Sequence, residues 1–224
     1  ATGVGGLFGY HFFYFLALRN APAVEASLIA YLWPLLIVVF SALLPGERLR
    51  WFHVAGALLG LAGAGLLVTK GANLDFDDRY TLGYLAALAC ALIWSSYSIG
   101  SRRFGTVPTD AVGGFCAAAA ILAVPCHLLF ETTVWPANWV EWLAVLALGL
   151  GPVGGAFFTW DIGMKHGDIQ ALGAAAYAAP LLSTLILIAA GLAPLNGIVA
   201  ASCLLIVTGA VLAANELLWR PRAS

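Results

Sequence analysis

Charge is scarce in this sequence: 9% of its 224 residues are Asp, Glu, Lys or Arg, against 62% that are hydrophobic. Too little polar surface is left to cover a water-facing globule, so a lipid bilayer is the expected solvent. A net charge of −1 gives no footing for a polyanion, which excludes nucleic acid as a partner. The four cysteines, Cys90, Cys116, Cys126 and Cys203, lie scattered in apolar segments without close pairing. That pattern excludes a disulfide framework and a zinc site, and they read as small packing residues. No two histidines have metal-ligand spacing, and neither His-Glu-x-x-His nor Gly-x-Ser-x-Gly occurs, so no metal, cofactor or enzymatic activity is expected. The first segment lacks the basic start and cleavage pattern of a signal peptide and is expected to be a membrane helix.

Present instead are eight apolar segments, at about 2–19, 23–44, 52–69, 81–103, 109–130, 139–164, 169–190 and 194–218, each near the roughly 20 residues that cross a bilayer core. The expected fold is therefore all-α, a polytopic membrane helix bundle. Short connections such as Arg19-Asn20-Ala21-Pro22 and Pro45-Gly46-Glu47-Arg48 make neighbours antiparallel and leave no room for a soluble domain. The longest polar interval, Lys70 to Tyr80 with Asp75, Asp77 and Asp78, reads as an extramembrane linker. Assigning connections to alternate sides collects Arg48, Arg50, Arg102, Arg103, Lys165, Arg220 and Arg222 on one side and Arg19, Lys70 and Arg79 on the other. The richer side, with the C-terminus, is expected in the cytoplasm. Trp51, Trp135, Trp139, Trp142 and Trp219 fall near segment ends, where tryptophan sits at headgroup level.

Sliding the chain by 146 residues aligns Ala1–Leu66 with Ala147–Leu212 without a gap. The phrase Ala30-Tyr31-Leu32-Trp33-Pro34-Leu35-Leu36 falls on Ala176-Tyr177-Ala178-Ala179-Pro180-Leu181-Leu182, Tyr14 falls on Trp160, and Arg19 on Lys165. This reads as an internal repeat. The offset carries helices one to three onto six to eight, an odd shift that reverses direction through the membrane, so the repeats are inverted, the architecture of secondary transporters. Helices four and five have no counterparts upstream. A five-plus-five parent is therefore expected, with its first two helices absent from this chain and eight present. On that reading residues 1–70 are the last three helices of one repeat, 71–80 a linker, and 81–218 the second repeat.

These features resemble the EamA type of the drug/metabolite transporter superfamily, in the inverted fives, the proline-bearing second helix with Leu28, Tyr31, Pro34 and Leu35, and the turn Gly46-Glu47-Arg48-Leu49. Glu25 departs from the small residue usual there, and Ala190-Gly191-Leu192-Ala193-Pro194 replaces the Gly-Glu turn in the second half. Within the family the chain is most similar to aromatic amino-acid exporters. The resemblance implies transport of a small molecule across a bacterial inner membrane.

The residues themselves point to a site. Pro34 and Pro180 lack amide hydrogens and would free the carbonyls of Ala30 and Ala176, making paired kinks that read as hinges; the alternative is simple bending, since membrane helices tolerate proline. Interior Tyr and Trp must find polar partners, which singles out Tyr10, Tyr14, Tyr31, Trp33, Trp94, Tyr97, Trp160 and Tyr177, with Ser98 beside Tyr97. Gathered round the pseudo-twofold axis, they would line a chamber for a flat amphipathic substrate; the alternative is filler between helices. Trp33 lies about 200° round the helix from Tyr31 and falls on Ala179, so it has no repeat mate. His11, mid-helix, is a substrate contact, a proton-sensitive switch, or a neutral ring bonded to its surroundings. Glu25 and Asp161 are the only candidate deep acids. A helix start accounts for the first and an i,i+4 pair with Lys165 for the second. Facilitated diffusion or exchange is thus expected rather than obligatory proton coupling.

The expected function is a secondary transporter moving amphipathic metabolites by alternating access, with export of aromatic amino acids as the best single substrate assignment. The alternatives are a channel or exchanger for purines, nucleotide sugars or drugs, or an intramembrane enzyme. A monomer is expected. Gly56-x-x-x-Gly60 and Gly63-x-Gly65 allow close helix packing within the chain or at a dimer face.

Overall fold

Apolar runs in a bilayer satisfy their backbones internally, and the expected solution is the helix. A computed structural model, which describes residues 2–72, 74 and 76–216, is all-helical, with no strand among the described residues. Eleven α-helices form eight spans. The first span is α1 (Thr2–Asn20); the second is α2 (Ala23–Ala30) continued by α3 (Trp33–Phe40); the third is α4 (Trp51–Thr69). The fourth and fifth are α5 (Thr81–Arg103) and α6 (Ala111–Phe130). The sixth joins α7 (Trp139–Leu150) to α8 (Ala156–His166), the seventh joins α9 (Ile169–Ala175) to α10 (Ala178–Ala189), and the eighth is α11 (Gly197–Ala213). Among the described residues, six spans are long and apolar enough to cross a membrane. Bounds fall within a few residues of those read from the sequence. The last span is the exception, since its described helix stops at Ala213 and residues 217–218 lie outside the described residues. So do Asp75, Trp219, Arg220 and Arg222, on which part of the linker and orientation readings rested.

Helix boundaries follow local chemistry. Asn138, Asp168 and Asn196 accept backbone N–H bonds at the starts of α7, α9 and α11, as N-caps do. Lys70 (φ 53°) and Gly71 (φ 75°) end α4 in left-handed geometry. Both proline spans break just ahead of the proline, at Tyr31–Leu32 and at Ala176–Tyr177. There the amides of Leu32 and Tyr177 turn back three residues, to Ile29 and Ala174. Gly151–Gly155 winds as a π-helix between α7 and α8, whereas its repeat counterpart, Gly5–Gly9, lies in unbroken α1.

Small residues are spent inside the chain. A Cβ on Gly56 would lie 2.8 Å from the Ala213 amide, and one on Gly209 would lie 2.9 Å from the Gly60 amide. The third and eighth spans, repeat mates, therefore pack backbone to backbone. Trp51, Trp135, Trp139 and Trp142 are all exposed near span ends, as an interfacial belt requires. The sixth span has an apolar surface that is not covered within the described residues.

Candidate functional site

The aromatic residues of α1, α3, α5 and α8 converge on Trp94, itself 7% exposed. Its ring centroid lies 5.2 Å from Tyr10, 5.4 Å from Tyr97, 5.6 Å from Phe157, 6.2 Å from Trp160 and 6.3 Å from Trp33. Trp33 meets Trp160 edge to face at 5.4 Å, and Tyr10 stacks on Tyr14 at 6.0 Å. These are the offset and T-shaped contacts that ring quadrupoles favour. Two polar groups of the cluster are bonded as well: Trp160 Nε1 donates to Ser98 Oγ (3.0 Å), and Ser95 Oγ donates to the Trp33 backbone carbonyl (3.0 Å).

The structure thus brings together Tyr10, Tyr14, Trp33, Trp94, Tyr97, Ser98 and Trp160. His11 stands at the edge, its ring 6.0 Å from Phe157 and its Nδ1 2.8 Å from the Leu7 carbonyl. Phe157 was missed from sequence, yet it was available there: it is the repeat mate of His11, 146 residues on. Ser95, one turn after the buried Ala91, was also missed. Trp33, the member without a mate, is in the middle of the cluster, because the break before Pro34 resets the helix and relieves the 200° conflict with Tyr31 expected for a continuous helix (about 100° per residue).

The two repeat tyrosines do not share this chamber. Tyr177 is 0% exposed and packs with Val38, Ala57, Leu181 and Ile206 on the α4 and α11 side. In this conformation its phenol is taken up by protein backbone: its Oη donates to the Tyr31 carbonyl (3.0 Å) and accepts from the Leu35 amide (3.2 Å). Tyr31 packs at the edge of that same group, within electrostatic reach of Tyr14. Pro34 is buried beside the break, where its carbonyl would meet a Cβ on Gly173 at 3.2 Å.

Two cavities flank the rings. One, of about 540 Å³, runs between α1 and α6 and includes His11, Phe157, Arg19 and Glu131. The other, of about 620 Å³, lies among the starts of α1 and α6 and the end of α5 and includes Tyr97, Phe104, Asp161 and Lys165. Open space therefore lies on two flanks of the cluster.

Each flank carries an ionic fastening. Lys165 Nζ holds Asp161 (2.6 Å), as the i,i+4 spacing suggested, but both side chains are only 5% exposed, and the ammonium also donates to the Val107 carbonyl (2.7 Å). Thr109 and Ser101 donate to the same carboxylate at 2.7 and 3.3 Å. On the other flank Arg19 donates to the Phe130 carbonyl (3.2 Å) and pairs with Glu131 (2.8 Å). His127 bonds Glu131 at 2.7 Å, and this contact, more than Arg19, holds the carboxyl below its usual range. Arg102 adds to the bonds on the Lys165 side, donating to the Met164, Lys165 and Gly167 carbonyls and to Glu47. Gln170 bridges Ser41 and Glu47. Glu25 sits in the first turn of α2, with one carboxylate oxygen buried and unbonded.

Comparison with known proteins places this architecture. The model of the EamA-like transporter family matches residues 1–69 and 81–215. The chain is 62% identical over 212 residues to the aromatic amino acid exporter YddG of Ancylobacter novellus, covering 94% of this chain and 74% of that protein. It is 25% identical over 180 residues to the Escherichia coli protein of the same name, covering 75% of this chain and 59% of that one. It is 30% identical over 145 residues to the pseudopaline exporter CntI of Pseudomonas aeruginosa, covering 65% and 50%. A solved crystal structure at 62% identity superposes with a TM-score of 0.91, covering 95% of this chain and 76% of the other. These relatives are named exporters, not enzymes. With its spans, cluster and family match together, this multi-pass membrane protein belongs to the EamA-like transporter family.

Proposed function

We propose that the protein exports aromatic amino acids by alternating access, with Tyr10, His11, Tyr14, Trp33, Trp94, Tyr97, Ser98 and Trp160 as the substrate site and Pro34 and Pro180 as hinges. The observation that carries this reading is the ring cluster around Trp94, contributed by both repeats and flanked by two cavities. Rings that pack on one another can part to admit another ring, and Ser98, His11 and the tyrosine hydroxyls offer the few polar contacts a zwitterion needs. The exporters named for aromatic amino acids among its relatives support the substrate class. The repeat supports residues 1–70 and 81–218 as the two inverted units, joined by 71–80. The charge asymmetry supports an inner-membrane topology with the Lys165 flank and the C-terminus cytoplasmic.

The test is export and uptake in proteoliposomes with phenylalanine, tyrosine, tryptophan, aliphatic amino acids and purines, with and without a proton gradient. Aromatic amino acids are expected to move and to compete with one another. Rates should survive collapse of the gradient, because the Asp161 carboxylate is already paired with Lys165 and bonded by two hydroxyls. If aromatic amino acids neither move nor compete, the substrate assignment fails. A second reading, a broader metabolite range, is favoured by the pseudopaline exporter among the relatives.

A further inference from the structure

Helix two is not merely interrupted by its proline. In an unbroken helix the Leu35 amide would donate to the Tyr31 carbonyl, four residues back. Here the Tyr177 hydroxyl stands between them, accepting from Leu35 and donating to Tyr31. A side chain inserted into the helix ladder is a known cause of a kink, and in this case it comes from the other repeat. The ring has a prepared seat: a Cβ on Gly60 of α4 would come within 2.5 Å of the ring carbon Cδ2 of Tyr177.

The insertion is one-sided. Its mirror image would send Tyr31 into the break of helix seven, seated on the repeat mate of Gly60. That mate is Ile206, itself buried, which leaves no glycine seat. Among the described residues Tyr31 makes no reciprocal bond to helix seven. The asymmetry coincides with another. Trp33, two residues past the inserted hydroxyl, is the aromatic of helix two whose mate is alanine, and it packs on Trp94 and Trp160.

We propose that Tyr177 is a positioning residue for the substrate site, its hydroxyl inserted between the Tyr31 carbonyl and the Leu35 amide so that the bend of helix two delivers Trp33 to the ring cluster. It touches no substrate and acts through Trp33. This deepens the export reading and rests on it for the transport consequence, while the structural consequence stands apart. Without the hydroxyl, Leu35 and Tyr31 can bond each other, the kink that Pro34 leaves becomes shallower, and Trp33 turns away.

The test uses Tyr177→Phe, which keeps the ring on Gly60 and removes only the oxygen, with Trp33→Phe and the double variant in the intact protein. In proteoliposomes, Tyr177→Phe is expected to raise the KM for tryptophan five- to twentyfold while the maximal rate stays within about threefold, and the double variant should match Trp33→Phe alone rather than multiply the two effects. Multiplicative KM effects, or an unchanged KM in Tyr177→Phe, overturn the proposal. In parallel, the Trp33 emission is taken as the difference between variants with and without that indole. A shifted Trp33 spectrum in Tyr177→Phe is expected, and an unshifted one overturns the positioning role. If the wild type moves no aromatic amino acid, the export reading has failed, and the emission arm alone decides the role of Tyr177.

Discussion

Trp160 shows how much a single polar atom matters at the centre of a membrane protein. Its indole N–H has Ser98 Oγ as partner at 3.0 Å, and Ser98 is fully buried. Ser98→Ala would strand that N–H, at a cost of about 1–3 kcal/mol, and is expected to lower the thermal midpoint in detergent by several degrees and to weaken transport of tryptophan. Ser98→Thr, which keeps the hydroxyl, should recover most of both. Glu131 illustrates the opposite, wet limit. Its carboxyl is held low by His127 and then by Arg19. The depressed value means that the fastening is present at neutral pH and is lost as pH falls through a point below 4.5, its ordinary value. Acidifying the Arg19 side should therefore loosen α1 from α6, read as a longer distance between spin labels on the two helices, and Glu131→Gln should remove the pH dependence. At this scale the sequence was partly legible. Tyr10, Tyr14, Trp94, Tyr97, Ser98 and Trp160 stood out because polar aromatics inside apolar runs need partners, whereas Phe157 carries no polar atom to draw attention.

Among the elements, the spans themselves were readable almost to the residue, since composition and turn chemistry set them locally. Which side chains share a centre was not, because a break in a helix rotates everything beyond it. For that reason Trp33 packs in the ring cluster while Tyr31 does not, and Tyr177 lies apart from it with its hydroxyl bonded to backbone in another span. The close approach of α4 and α11 was foreshadowed by the spacing of Gly56, Gly60 and Gly63, though not its partner. Gly209→Ala would drive a methyl group into the facing backbone of Gly56 and Gly60. Overpacking of this kind costs about 1–3 kcal/mol, and the thermal midpoint should fall by several degrees, while Gly197→Ala, with open space around it, should leave it unchanged. Replacing Pro34 and Pro180 singly by Ala restores the missing amides. At least one replacement is expected to slow transport severalfold, and unchanged rates in both would remove the hinge assignment.

For the whole molecule, the question is what ties the Lys165 flank together. There Arg102 gathers the Met164 and Lys165 carbonyls at the end of the sixth span, the Gly167 carbonyl just beyond it, and Glu47 of the turn after the second span. Arg102→Gln would release these contacts at a cost of about 2 kcal/mol. In single-molecule distance measurements across that flank, the variant is expected to shift the population towards longer distances. An unchanged distribution would mean that the spacing of these spans is set elsewhere. None of this network was read from sequence, since Arg102 and Glu47 lie 55 residues apart and meet only once the spans have packed.

The fifth span, α6, is held at one end by Lys165 on the Val107 carbonyl and at the other by Arg19 on the Phe130 carbonyl, two cations related by the repeat. Their settings differ: the Lys165 pair is 5% exposed on each side, the Arg19 pair 48% and 41%. Dissolved ions screen exposed charges and scarcely reach buried ones. Raising ionic strength should then free one end of α6 while the other stays moored, so that a bulk property of the medium, identical on both faces of the membrane, acts on this protein from one face only.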